Sequence, residues 1–244
     1  MTATRIRPLL VALLSTGALL GSASSLPRAA RAQEAPSGVE RLEQLLTRVR
    51  ESQASVKTLR AAFVEHKESS LLLEPVEARG EFYFRAPGRV RWEYQSPEPM
   101  ILVIRDGELT TWYQDLDQAR RMSVGRQSQQ MLRYLGMGSS VDELLGYFDV
   151  ALRLPGETGE YYRLVLTPRY PRIAKRVAEV TVWIDAERYL PDRFRYVEPD
   201  GDSTEFWFQD LRINEPLAAG LFHLELPPGV QVEDAARLDD PTSR

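Results

Sequence analysis

The sequence contains no cysteine and only two histidines, His66 and His223, among 244 residues. Without cysteine there is no disulfide framework, no thiol nucleophile and no cysteine to carry a lipid, so a hydrophobic core must hold the fold together. No Gly-x-Ser-x-Gly elbow occurs, and Gly136-Met137-Gly138 is a lone Gly-x-Gly without the rest of a dinucleotide fingerprint. The sequence therefore predicts a protein that is not an enzyme and that needs neither a metal nor a cofactor.

An excess of positive charge is also lacking, since the net charge is −4. Residues 1–32 carry four arginines and no acid, so their removal would change the net charge to −8. Nucleic-acid binding needs a basic footprint. We therefore expect no nucleic acid among the partners.

No hydrophobic run is long enough to serve as a membrane anchor. The longest, residues 9–20, follows Arg5 and Arg7 and precedes the small-x-small sequence Ala30-Arg31-Ala32. A charged start, a short apolar run and a small-residue site are typical of a secretory signal peptide. We expect cleavage after Ala32, export to the periplasm, and a single mature domain over residues 33–244 with a polar tail at 233–244.

Within that domain, hydrophobic periodicity predicts one helix followed by a meander of strands. Leu42, Leu45, Leu46 and Val49 follow helical spacing over residues 39–56. Alternating, β-branched and aromatic segments between turn pairs such as Asp106-Gly107 then predict eleven antiparallel strands. These lie at 59–68, 78–85, 89–95, 100–105, 109–114, 118–123, 148–154, 161–167, 177–184, 192–197 and 204–211.

The pattern turns helical between the sixth and seventh strands, in an insertion at 126–146. Met131, Leu132 and Leu135 share one helical face, and glycines flank Met137. One interpretation is a static crossover packed on the sheet. The other is a lid, because glycines permit hinging and methionine adapts to varied apolar shapes.

Two neighbouring strands are predicted to place aromatic side chains on one face and charged ones on the other. Phe82 and Phe84 alternate with charged positions, as do Val90, Trp92 and Tyr94. A filled core is the usual explanation for such a face, and a cavity for an apolar ligand is the alternative. Carboxylates such as Glu81 and Glu93 most simply form a solvated face, although a hydrolase acting on lipid or glycan stays open as an alternative.

The chain resembles the periplasmic outer-membrane lipoprotein carriers of the LolA family, from the first helix to about Val232. No single motif is decisive, but their order and spacing are specific. The motifs are Gly80-Glu81-Phe82, Arg85-Ala86-Pro87-Gly88-Arg89-Val90-Arg91-Trp92-Glu93-Tyr94, Pro97, Asp106-Gly107, Trp112-Tyr113, Leu166-Thr167-Pro168, Phe222 and Pro227-Pro228-Gly229-Val230.

The resemblance implies an incomplete β-barrel of about eleven antiparallel strands, shared with the LolB fold, around an apolar cavity covered by a helical lid. It implies a monomeric periplasmic chaperone that takes acylated lipoproteins from an ATP-driven inner-membrane release complex similar to LolCDE and passes them to an outer-membrane receptor similar to LolB. A lipid- or lipoprotein-sensing module of related fold is the alternative. The candidate acyl-binding residues are Phe82, Phe84, Val90, Trp92, Tyr94, Val103, Met131, Leu132 and Leu135.

The chain departs from the family at the turn after the second strand. Family members often carry an inward arginine immediately before the proline, where this chain has Ala86, and its arginine is Arg85. Successive strand residues point to opposite faces, so we expect Arg85 to point away from the cavity unless a bulge intervenes. Trp112 likewise lies one position later than the tryptophan that follows Asp-Gly in family members. We therefore do not assign it to either face of the strand.

Overall fold

Strands dominate the computed structural model, which describes residues 38–124, 145–155 and 160–238. All of them belong to one unit that starts at Pro36. The helices with both ends described are α1 (Gly38–Ser55) and α2 (Pro171–Ala174), and a 3₁₀ turn covers Gln114–Leu116. The strands are β1 (Thr58–Glu68), β2 (Val76–Arg85), β3 (Arg89–Ser96), β4 (Met100–Arg105), β5 (Glu108–Tyr113), β6 (Gln118–Val124), β7 (Phe148–Arg153), β8 (Tyr161–Pro168), β9 (Glu179–Asp185), β10 (Pro191–Val197), β11 (Ser203–Ile213) and β12 (Gln231–Leu238).

The strands form a single open sheet in the order β12-β6-β5-β4-β3-β2-β1-β11-β10-β9-β8-β7. Strands β1 to β11 pair antiparallel throughout, whereas β12 runs parallel to β6. The prediction of a mainly β fold with an unclosed antiparallel sheet is confirmed, and each of the eleven predicted strands is present. The twelfth strand is an addition to the prediction.

Helix α1 packs on one face of this sheet, which we call the inner face. Leu45, Leu46 and Val49 lie on one side of the helix and are buried against Leu164, Leu166 and Ile184 of β8 and β9. The helical spacing seen in the sequence therefore corresponds to the buried side of α1. Among the described residues, α1 packs on the end of the sheet formed by β7 to β10, and side chains of the sheet itself fill the inner face of β1, β2, β3 and β11.

The junction between α1 and β1 is fixed by Asn214, which follows β11. The Asn214 side chain accepts a hydrogen bond from the backbone N–H of Lys57 (2.7 Å) and donates one to the carbonyl of Ser55 (3.0 Å). Ser52, one turn earlier, donates to the carbonyl of Arg188 (2.5 Å). These bonds hold the C-terminal end of α1 against both β11 and the β9–β10 turn.

A strap, residues 214–230, crosses the opposite, outer face and leads to β12. Arginines from three successive strands point outward to it. Arg85 of β2 donates to the carbonyls of Leu217 and Ala218, Arg91 of β3 donates to that of Leu221, and Arg105 of β4 lies 3.4 Å from His223 Nδ1. The prediction that Arg85 points away from the inner face is confirmed, because the register of β2 is unbroken from Gly80 to Arg85.

Candidate functional site

Six aromatic rings form a continuous layer on the inner face of β1, β2, β3, β10 and β11. We call this layer the aromatic cluster: Phe63, Phe82, Trp92, Phe194, Phe206 and Phe208. The Trp92 ring packs edge-to-face against three phenylalanine rings. The distance between centroids is 4.8 Å for Phe63 and for Phe82, and 5.4 Å for Phe206. Phe194 stacks on Phe206 at 4.6 Å. Such pairs attract beyond the effect of area burial alone.

The structure places five of the predicted site residues together on this face. Phe82, Phe84, Val90 and Trp92 are buried in the aromatic cluster or beside it, and Tyr94 is partly buried against it. We predicted that this face lines a cavity and is not fully packed. In this structure the rings fill the space by packing on one another, and the acyl-binding role of these residues stays a prediction.

Val103 does not belong to this group. The register pairs Val103 with Arg91 and with Thr110, whereas Trp92 is paired with Leu102. Val103 therefore lies on the outer face, and Leu102 and Ile104 are the β4 residues that share the face of Trp92. Trp112, which pairs with Ile101 and Ala119, lies on the outer face as well.

The aromatic cluster depends on a glycine at its centre. A Cβ at Gly80 would lie 2.0 Å from the Glu93 carbonyl oxygen and 2.7 Å from the ring of Phe63. The Phe63 ring crosses the strand where Gly80 has no side chain. The glycine of the Gly80-Glu81-Phe82 motif thus makes room for this close approach.

A second group of buried residues, the aliphatic cluster, lies between α1 and the inner face of the sheet. It consists of Leu45, Leu46, Val49, Phe148, Leu164, Leu166 and Ile184. Val182 packs against both clusters and joins them into one apolar surface. An apolar cleft opens between α1 and the sheet, lined by Leu46, Gln53, Leu145, Val150, Leu164, Leu166, Val182, Ile184 and Pro191. Sequence reasoning missed this cleft, although the alternation of Leu164 with Leu166 and of Val182 with Ile184 was visible.

One polar pair interrupts the apolar surface beside the aromatic cluster. Glu65 of β1 accepts a hydrogen bond from the Tyr94 hydroxyl. Burial raises the pKa of the Glu65 carboxyl, and the hydrogen bond from Tyr94 offsets part of that rise. Burial beside Glu65 also raises the pKa of Tyr94. The pair forms a polar border at the end of the inner face near the β1–β2 hairpin.

Several other carboxylates have structural partners. On the outer face, Glu81 pairs with the exposed Arg60, whereas Glu93 pairs with Arg91, which the strap largely covers. Asp185 accepts the backbone N–H groups of Glu187 and Arg188, so its carboxylate shapes the β9–β10 turn.

Neither a metal-binding group nor a membrane-spanning helix is found in the part of the chain that the structure describes. No group of three or more acidic, histidine or cysteine residues there is arranged to hold a metal ion. No helix in the described ranges has both the length and the hydrophobicity to cross a bilayer. His66 lies beside Glu77 and Trp207, whereas His223 lies beside Arg105, so the two histidines are not brought together.

The lid interpretation concerns residues that lie outside the described ranges. Met131, Leu132 and Leu135, and all of the predicted insertion except Leu145 and Gly146, belong to the undescribed segment 125–144. The signal-peptide prediction for residues 1–32 also lies outside the description. Both stay predictions.

The fold and site define a class of protein. Its members have an open antiparallel sheet whose inner face is one apolar surface, partly covered by a helix. A solved structure of the same fold is an uncharacterized conserved protein from Thermus thermophilus, with a TM-score of 0.53, 15% identity, and coverage of 80% of this chain and 99% of that one. At that identity the likeness shows the fold alone.

Sequence comparison identifies the family. The family model described as "Outer membrane lipoprotein carrier protein LolA" matches residues 54–225, and the chain belongs to this family. An outer-membrane lipoprotein carrier protein from Pseudomonas entomophila is 25% identical over 227 residues, covering 93% of this chain and 97% of its own. Another, from Alkalilimnicola ehrlichii, is 28% identical over 186 residues, covering 74% and 79%.

Proposed function

We propose that this chain is a lipoprotein carrier that holds the acyl chains of its cargo on the inner face. The observation that carries the proposal is the continuity of the apolar surface from the aromatic cluster, through Val182, to the cleft beneath α1. The names of its relatives support the same role. The proposed acyl site comprises Phe82, Phe84, Val90, Trp92 and Tyr94, with Met131, Leu132 and Leu135 from the insertion, and extends into the cleft.

Competition between cargo and protein side chains would make the binding reversible. Burying each CH₂ of an acyl chain stabilises the complex by about 0.8 kcal/mol. An acyl chain that enters the aromatic cluster must first separate ring pairs, each worth about 0.5–1.5 kcal/mol. The net affinity is therefore lower than the buried area suggests. Release then requires only an acceptor that binds the acyl chains better.

We place this activity in the periplasm, between an ATP-driven release complex in the inner membrane and an acceptor at the outer membrane. The leader at residues 1–32 supports export. The transfer as proposed makes and breaks no covalent bond, in keeping with a carrier that is not an enzyme. In this proposal the inner face binds the acyl chains, and the higher affinity of the acceptor directs their transfer to the outer membrane.

A matched pair of variants in β7 tests the proposal. Val150 lines the cleft, and its neighbour Ala151 is exposed on the outer face. We expect Val150→Gln to weaken the binding of a diacylated peptide, measured by displacement of an environment-sensitive apolar dye, by on the order of tenfold. Ala151→Gln should leave the affinity unchanged. Equal affinities for both variants, with unchanged thermal unfolding, would exclude the cleft as the acyl site.

A further inference from the structure

The connection between β1 and β2 exposes three consecutive leucines. The exposed fractions of Leu71 and Leu73 are 91% and 105%, and that of Leu72 is 39%. Val76, at the start of β2, adds a further exposed apolar side chain. Single exposed leucines are common on protein surfaces, but a contiguous group indicates an interaction site.

The leucines are presented by an ordered turn. The backbone N–H of Leu72 donates to the carbonyl of Ser69 (3.0 Å), and that of Leu71 donates to the Ser69 hydroxyl oxygen (3.2 Å). Ser70 N–H donates to the carboxylate of Asp202 in the β10–β11 turn (3.0 Å). The Ser69 hydroxyl and this N–H lower the pKa of Asp202. The connection is thus tied to the neighbouring turn while its apolar side chains point into solvent.

From these observations we infer that Leu71, Leu72 and Leu73, here called the leucine tip, insert into the surface of a lipid bilayer. A convex tip of flexible aliphatic side chains suits the fluid acyl chains of a bilayer. The side chains need only reach these chains, because a fluid phase does not require a complementary shape. The strongest anchors of protein interfaces are enriched in tryptophan, tyrosine and arginine, with leucine under-represented. The tip has none of these three anchors, so a bilayer fits it better than a protein groove.

Charge around the tip specifies which lipid surface it suits. Glu68, Glu74 and Asp202 outnumber Lys67 near the tip, whereas Glu77 is paired with Arg79. Anionic lipids attract basic segments and repel acidic ones over roughly 10 Å at moderate salt. The tip therefore binds through apolar insertion, and binding weakens as anionic lipid is added. This inference concerns a surface apart from the inner face, so it stands or fails independently of acyl binding there.

The absence of cysteine allows the tip to be labelled at one position. A fluorophore is attached to Leu73→Cys and, as a control, to Leu116→Cys, whose leucine is 63% exposed in the 3₁₀ turn after β5. Both proteins are isolated from an exporting host with their N-termini determined by mass. On phosphatidylcholine vesicles we expect a blue shift and quenching by lipids brominated in the acyl chain for position 73 only.

Affinity for the same vesicles provides the second readout. We expect Leu71→Ser and Leu73→Ser each to lower the vesicle partition coefficient on the order of tenfold, and Leu116→Ser to leave it unchanged. Because Leu71 and Leu73 are almost fully exposed, neither Leu71→Ser nor Leu73→Ser should alter thermal unfolding. Equal quenching at positions 73 and 116, no vesicle binding, or tighter binding to anionic vesicles would overturn the inference. A concentration-dependent dimer abolished by Leu73→Ser would overturn it in favour of self-association.

Discussion

Arg85 Nη2 donates a hydrogen bond to the carbonyl oxygen of Leu217 at 2.8 Å, on the face of β2 opposite Phe84. The same guanidinium lies 5.2 Å from the ring centroid of Phe222, which is buried in the strap. Arg85 therefore fixes the strap to the outer face. The arginine beside the β2–β3 turn thus binds the strap on the outer face, and the inner face of β2 carries apolar side chains.

Removal of Arg85 should affect stability and leave acyl binding intact. We expect Arg85→Ala to lower the free energy of unfolding by about 2 kcal/mol, because two hydrogen bonds from a charged donor and its contact with the buried Phe222 ring are lost. Arg79→Ala, which removes an exposed arginine paired with Glu77 on the same face, should cost well under 1 kcal/mol. Urea unfolding measures both. Acyl-peptide affinity reduced by Arg85→Ala would contradict the outward placement.

Gly80→Ala should disrupt the centre of the aromatic cluster. Its Cβ would overlap the Glu93 carbonyl oxygen, which belongs to a paired strand and cannot move alone. Overpacking of this kind costs about 1–3 kcal/mol or more. Gly220→Ala, where no atom lies within 4 Å of the added Cβ, is the control. Near-ultraviolet circular dichroism during thermal unfolding should show a lower midpoint for Gly80→Ala alone. Equal midpoints would mean that Phe63 does not cross β2 there.

Asp192 should make stability depend on pH. Burial raises the pKa of this carboxyl from 3.8 to about 6, with Tyr161, Asp185 and Arg188 as the facing groups. Between these values the unfolded chain releases its proton while the folded chain retains it, so the free energy of unfolding falls as pH rises.

Asp192→Asn removes that dependence. The stability of the variant relative to the parent should therefore increase from about pH 4 to about pH 6 and stay constant above. Asp115→Asn, at an exposed position, is the control for a change of net charge. Denaturant unfolding at several pH values measures the difference. A constant difference across this range would show that Asp192 titrates normally.

Local sequence signals were sufficient for most of the fold. Alternation with a period of two and turn pairs such as Asp106-Gly107 located the eleven antiparallel strands, because each signal lies within the segment it describes. Strand β12 carried no such signal. Its pairing with β6 depends on the strap, and the arginines that hold the strap lie about 130 residues before the carbonyls they contact.

The site was predictable only in part. Phe82 and Trp92 were assigned to the correct face because charged residues alternate with them. Val103 was not, because every residue from Met100 to Ile104 is apolar and only pairing with β3 determines the face. The α1 side of the cleft was visible as a helical stripe, but no local pattern identifies the strands that it covers. Ring–ring packing within the aromatic cluster is likewise a property of the assembled sheet.

The central claim, that acyl chains bind on the inner face, is tested most directly by photo-crosslinking. A diacylated peptide with a diazirine in one acyl chain is bound to the protein, irradiated, and its adducts are mapped by mass spectrometry. The account predicts adducts at inner-face residues such as Trp92, Leu164 and Phe206, and none at their outer-face neighbours Arg91, Val165 and Trp207. Adducts on the outer-face neighbours or on the strap, with the inner face unlabelled, would contradict it.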